Sequence, residues 1–302
     1  MRVFHCDRYT MDLPPGHRFP AEKYRALREL LVREKILRED ELVEAGLVEI
    51  AALRLAHSDA FVDAVVHGNL TVAEERRLGF PWSESLVLRS RASVYGTVAA
   101  ARAALREGIA GNLAGGTHHS FRDRGEGFCV FNDHAVALRV LQAEGAIRRA
   151  AIVDLDVHQG NGTAAIFEGD ASVFTFSMHG AKNFPFRKER STLDVELPDG
   201  CGDTEYLEQL ALHLPRALEG AQLLLYQAGV DPLEEDSLGR LSLTQEGLRR
   251  RDRLVLEAAR ARALPIVLTL GGGYAKPVSL SVAAHAGTYR EARAVFGGGE
   301  AT

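Results

Sequence analysis

Two aspartates and a histidine close an apolar run in this chain. The segment Ala151-Ile-Val-Asp-Leu-Asp-Val-His-Gln-Gly-Asn-Gly162 places Asp154, Asp156 and His158 at alternate positions ahead of a glycine-rich turn. Alternation puts all three side chains on one side of an extended strand. Two carboxylates and an imidazole converging there repel one another or stay unpaired unless a cation neutralises them. A single Asp in such a place would be read as a turn former. A second apolar run, Leu223 to Ala228, leads into Asp231-Pro232, by itself a common turn opening. With Asp156 and His158, Asp231 completes a set of three N/O ligands. Three protein ligands with a position left open for water are the arrangement of a catalytic zinc rather than a structural one. Fe2+ or manganese also accepts this mixture, so the ligand set is better defined than the metal.

Hydrolysis at such a centre needs a base for the attacking water and an acid for the leaving group. Gly115-Gly-Thr-His-His-Ser120 supplies adjacent imidazoles, His118 and His119, in a glycine-supported loop. A histidine pair on a loop often does nothing. Here Asp154 and Asn161 are available to hold the two tautomers. Leu270-Gly-Gly-Gly-Tyr274 ends another apolar run in a loop bearing one phenol, which can donate a hydrogen bond to a developing oxyanion.

Positioning these residues falls to short apolar runs at Arg2–His5, Ala151–Asp156, Ser172–Ser177, Gln222–Ala228 and Pro265–Leu270. Their lack of polar alternation suits strands buried on both faces of a parallel sheet. Between them lie helical patterns. Tyr24, Leu27, Leu30 and Leu31 share one face, as do Val94, Val98 and Leu105; Val136, Val140 and Leu141 follow a cap at Asn132 or Asp133. A further helix starts at Thr244 and Glu246 and runs through Leu248, Val255 and Ala259. No linker or internal repeat interrupts the alternation, so residues 1–302 read as one α/β domain with helices on both faces of a mainly parallel sheet. Ligands of such sheets gather at the carboxyl ends of the strands, where the polar residues above fall.

Composition narrows the function further. With 302 residues, 46% of them hydrophobic, and a net charge of -5, nothing draws the whole chain to nucleic acid or anionic membrane. The basic run Arg249–Arg253 contains Asp252, lies in a helical pattern and reads as a solvated face. Three scattered cysteines, Cys6, Cys129 and Cys201, argue against a disulfide framework and for a reducing cytoplasm. No apolar stretch reaches membrane-spanning length, and the N-terminus carries no secretory pattern.

The blocks LPPGHRFPAEKY (13–24), GGTHHSF (115–121), GFCVFND (127–133), IVDLDVHQGNGT (152–163), FTFSMHG (174–180), AGVDP (228–232) and GGGY (271–274) resemble, in this order, the histone deacetylase family. Bacterial and class IV-like members are the most similar, and the blocks span nearly the whole chain. The resemblance implies the three-layer arginase–deacetylase fold, with Asp156, His158 and Asp231 binding Zn2+ or Fe2+. It implies that His119 is the general base and acid, that Asp154 orients His118, and that Asn161 orients the other histidine. Many relatives have an acid where Asn161 stands, so His119 should be less basic here. Tyr274 matches the tyrosine that polarises the scissile carbonyl. Gly127 and Phe128 match one wall of an acyl-lysine tunnel, with His179 and Phe184 placed on the other side. A structural K+ is implied near Asp154, Asp156, His158, Ser177 and Met178.

The expected activity is metal-dependent hydrolysis of an Nε-acyl-lysine amide, the partner being an acylated protein, peptide or small amine. Within the same family the alternative is an acylpolyamine hydrolase. Leu238, seven residues after Asp231, falls near the position where polyamine-selective relatives place a glutamate, and its lack of charge favours acyl-lysine. A two-manganese ureohydrolase would need a second Asp-rich block that the chain lacks. A non-catalytic acyl-lysine-binding protein on the same fold would be expected to have lost the base, the ligands or the tyrosine, all of which are present.

Overall fold

The computed structural model describes residues 1–297. Eight strands form one sheet: β1 (Arg2–His5), β2 (Leu42–Glu44), β3 (Ile109–Asn112), β4 (Ala150–Asp154), β5 (Val173–Gly180), β6 (Leu193–Leu197), β7 (Leu224–Gln227) and β8 (Ile266–Thr269). Their order is β2-β1-β3-β8-β7-β4-β5-β6, and every pairing is parallel. The central strands are fully buried, which explains their unbroken apolar character. Three strands carried no such signal. β3 reads Ile-Ala-Gly-Asn, while β2 and β6 lie at the sheet edges, where polar residues are tolerated.

Alternation along the central strands feeds a separate core on each face. Ala151, Val153, Leu224, Tyr226, Ile266 and Leu268 pack with residues of α1 (Lys23–Arg33), α8 (Asp203–Ala217), α9 (Gln245–Ala261) and α10 (Val278–Phe296). Ile152, Leu225 and Val267 point the other way, toward α3 (Asp59–His67), α5 (Glu84–Glu107) and α6 (Asp133–Ala143). Shorter helices α2 (Ile50–Leu53), α4 (Val72–Leu78) and α7 (Asn161–Ile166) complete the chain order. Two helix starts follow the cap chemistry of the sequence. The Asn132 side chain accepts a hydrogen bond from Ala135 N–H, and Thr244 accepts one from Gly247 N–H.

The basic run on α9 departs from a solvated face. Arg249, Arg250 and Arg253 are exposed, but Arg251 is fully buried beside Asp252. Its guanidinium donates to Leu155 O and Gly229 O, so it braces the two strand ends just before Asp156 and Asp231. Helical spacing turns this one arginine of the run toward the sheet. Among the described residues no helix is long and apolar enough to cross a membrane. The three cysteines are free and buried.

Candidate active site

Four loops leave the carboxyl ends of the neighbouring strands β3, β8, β7 and β4 and meet around one cavity of about 440 Å³. They carry, in that spatial order, His118 and His119, Tyr274, Asp231, and Asp156 with His158. β4 ends at Asp154, earlier than its apolar pattern suggests, and the chain bends through residues 156–158. Strand alternation therefore does not bring the three polar residues together; the bend does. It leaves Asp154, still in the strand, facing His118 and turns Asp156 and His158 toward Asp231.

Asp156, His158 and Asp231 are buried, with one donor atom from each lying within 4.8 Å of the others. His158 Nδ1 stands 3.0 Å from Asp156 Oδ1 and 3.1 Å from Asp231 Oδ2. The remaining carboxylate oxygens are held by the backbone: Gly272 N–H donates to Asp156 Oδ2 at 2.7 Å and Val157 N–H to Asp231 Oδ1 at 2.8 Å. Burial disfavours a charged imidazole, yet the hydrogen bonds to Asp156 and Asp231 lift the His158 pKa to about 10. Burial and the neighbouring Asp156 charge raise the Asp231 pKa. Two buried carboxylates around one imidazole nitrogen favour a positive charge at their centre, and this set of donor atoms could hold a divalent cation there. Glycine is required at 272, because a Cβ there would collide with Asp231 Oδ2.

Beside this cluster the tandem imidazoles lie with ring centroids 4.0 Å apart. His118 Nδ1 meets Asp154 Oδ2 at 2.7 Å, and His119 Nδ1 meets Asn161 Oδ1 at the same distance. An amide oxygen only accepts, so His119 Nδ1 donates and its Nε2 keeps a lone pair. Burial lowers both imidazole pKa values, but the Asp154 and then the Asp156 charges turn the shift upward at His118. At His119, burial is joined by repulsion from His118 and His158, and the pKa falls well below the ordinary histidine value.

The mouth has two aromatic walls. Phe184 packs edge-on against His119, with centroids 4.9 Å apart. Opposite it, Gly127 and Phe128 both have positive φ, +54° and +66°. That backbone costs a residue such as Phe on the order of 1–3 kcal/mol and marks a position held for its side chain. The Phe128 ring is wedged by Phe80 at 5.3 Å, Phe19 at 5.7 Å and Tyr274 at 6.2 Å. Leu238 also lines the cavity, with Arg18, Lys182 and Arg240. His179 does not. It is fully buried within β5, where its Nδ1 bonds Ser177 Oγ at 2.9 Å, because the strand continues to Gly180. Ser177 pairs in register with Asp154, which sets Ser177 and Met178 beside the end of β4.

Some contributors carried no signal of their own. Lys23 is buried, donates to Gly271 O at 3.2 Å and Gly273 O at 3.4 Å, and stands 5.4 Å from the Tyr274 ring centroid. Burial brings its pKa down to about 8. Gln227 Nε2 reaches His118 Nδ1 at 2.9 Å. Lys23 sits inside the 13–24 block, and that position was its one sequence signal.

Residues 17–289 match the family model of the histone deacetylase domain. The chain is 45% identical over 296 residues to an uncharacterized protein of Picosynechococcus sp., covering 97% of this chain and 98% of that one. It is 37% identical over 191 residues to histone deacetylase 2 of Arabidopsis thaliana, covering 62% of this chain and 49% of the plant protein. A solved histone deacetylase homolog in complex with SAHA superposes with a TM-score of 0.80 at 23% identity, over 98% of this chain and 84% of the other. An eight-stranded parallel sheet with its polar loops at the carboxyl edge, and a family match over most of the sequence, lead to one conclusion: the chain belongs to the histone deacetylase family and has the α/β arginase–deacetylase fold.

Proposed function

We propose that this protein hydrolyses the amide of an Nε-acyl-lysine, with zinc as the divalent cation held by Asp156, His158 and Asp231. The observation that carries this reading is the meeting of that ligand cluster, His119 and Tyr274 around one cavity. When bound, the cation supplies Lewis acidity at the amide carbonyl and makes water a better nucleophile. His119, neutral and with Nε2 unprotonated, takes the proton from the attacking water and later gives one to the departing amine. Burial pushes the Tyr274 pKa well up, which keeps its hydroxyl protonated as a donor to the developing oxyanion. His118, whose pKa the Asp154 charge draws upward, lies beside His119 with ring centroids 4.0 Å apart.

Phe128 and Phe184 would flank the methylene stem of the lysine. Leu238, Arg18, Lys182 and Arg240 line the mouth, the last two both paired with Asp199, and Leu238 offers no carboxylate to the distant ammonium of an acylpolyamine. The ends of β4 and β5, from Asp154, Asp156 and His158 to Ser177 and Met178, would hold a structural K+.

The test is amide hydrolysis on one lysine peptide bearing acetyl, octanoyl or myristoyl, with zinc content measured on the same sample. Turnover abolished by chelation is expected, and absence of metal-dependent turnover on every acyl peptide counts against the reading. Tyr274→Phe should lower kcat about a hundredfold or more with metal content unchanged. Equal loss of turnover and metal would mean that Tyr274 supports the metal site rather than the oxyanion.

A further inference from the structure

Tyr274 lines the cavity, so the aim of its phenol depends on how its backbone is held. That backbone is tied to one short segment. Asp236 Oδ2 accepts from Tyr274 N–H at 2.6 Å, and Ser237 Oγ donates to Tyr274 O at 2.7 Å. Asp236 and Ala275 also form an antiparallel bridge. The other oxygen of the same carboxylate, Oδ1, accepts from Leu238 N–H at 2.8 Å and Gly239 N–H at 3.0 Å. Leu238 is a residue of the cavity mouth, and its carbonyl accepts from Asn183 Nδ2 at 2.8 Å, next to the wall residue Phe184. Gly239 packs so closely that a Cβ would strike Asp231 O.

We infer that Asp236 is a positioning residue: its two carboxylate oxygens lock the loop of the substrate mouth to the loop that carries Tyr274. A carboxylate suits this task because it is acceptor-only, with about four lone-pair sites for three converging N–H groups. Asn in its place has one accepting oxygen and turns an NH2 toward a donor, so one of the two loops is released. Hydrogen bonds to an ionised acceptor are also the short, strong kind, and the 2.6 Å separation at Tyr274 has that character. The inference rests on the deacylase reading above, in which Tyr274 faces the carbonyl oxygen.

The test compares Asp236→Asn, Tyr274→Phe and the double variant, with zinc content and melting temperature measured for each. Two readouts are used: kcat and KM on the acyl peptide, and calorimetric affinity for SAHA, whose hydroxamate carbonyl stands in for the substrate carbonyl. Asp236→Asn is expected to lower kcat by about tenfold or more with zinc retained, and to add less than about twofold once Tyr274 is already Phe. SAHA affinity should fall in the same non-additive way, and this readout decides the matter even if no acyl peptide is turned over. Wild-type kcat and affinity in Asp236→Asn would overturn the inference, as would a full, independent loss in the Tyr274→Phe background. Asp236→Glu, which keeps both accepting oxygens, guards against a folding failure in the Asn variant; its activity should lie between wild type and Asp236→Asn.

Discussion

His118 and His119 are neighbours in sequence, equally buried and each bonded through Nδ1 at 2.7 Å, yet their pKa values move in opposite directions. One difference lies in the partner. Asp154 brings a full negative charge from the end of β4, whereas Asn161, at the start of α7, brings only a dipole. Burial penalises both imidazolium forms; at His118 the Asp154 and Asp156 charges outweigh it, whereas at His119 repulsion from His118 and His158 adds to it. One fold thus shifts two identical side chains in opposite directions, and the partner of each Nδ1 is one of the causes.

Deleting the two rings should break this comparison most visibly. A general base contributes roughly a hundred- to ten-thousandfold, so His119→Ala should lose about tenfold or more activity beyond His118→Ala, both with zinc content retained. Equal losses in steady-state kcat/KM would mean that the two rings share the proton work.

Exchanging the partner should sharpen it. The base works when neutral, so the acid limb of kcat/KM rises with pH through the His119 pKa, which lies below the ordinary histidine value. Asn161→Asp puts a carboxylate at the same place and should move that limb to higher pH by roughly one to three units. A pH profile unchanged by the substitution would show that another group sets the limb.

The smallest effect concerns burial without any carboxylate partner, which His57 supplies. Its Nδ1 donates to Phe121 O at 2.8 Å, its Nε2 accepts from Asn132 N–H at 3.0 Å, and burial takes its pKa down to about 4. Folding therefore holds His57 neutral. As pH falls below about 6.5 the unfolded chain binds the proton first, so stability is lost from there down to about 4. By pH 5 the loss from this group is about 2 kcal/mol. Denaturant titrations at pH 7 and 5 measure it, and His57→Asn should show a shallower dependence over the same range.

The ligands and the tyrosine were legible in the sequence because each follows an apolar run, and runs buried on both faces read as strands; the tandem histidines were legible only from their residue types in a glycine-rich loop. Asn132 and Thr244 were legible as caps for a comparably local reason, a side chain bonded to a backbone N–H three residues on. Other parts were not. β3 is too short and too rich in small residues to show a strand pattern, and β6 alternates like any exposed edge. His179 was placed on the wall by the family resemblance alone; β5 runs on through it and buries it. Arg251 was hidden in a charge run whose other arginines do face solvent.

The sequence by itself determined the chemistry: which carboxylates, imidazoles and phenol are present, and that they fall at strand ends, since residue type and apolar periodicity are local properties. The tertiary structure decided how they are aimed. The bend after Asp154, the acceptance of three N–H groups by Asp236, the donation of Lys23 to the glycine loop and the burial of Arg251 join positions distant in sequence. Buried polar groups must find partners wherever the packed chain supplies them, and no local pattern specifies which segment that will be.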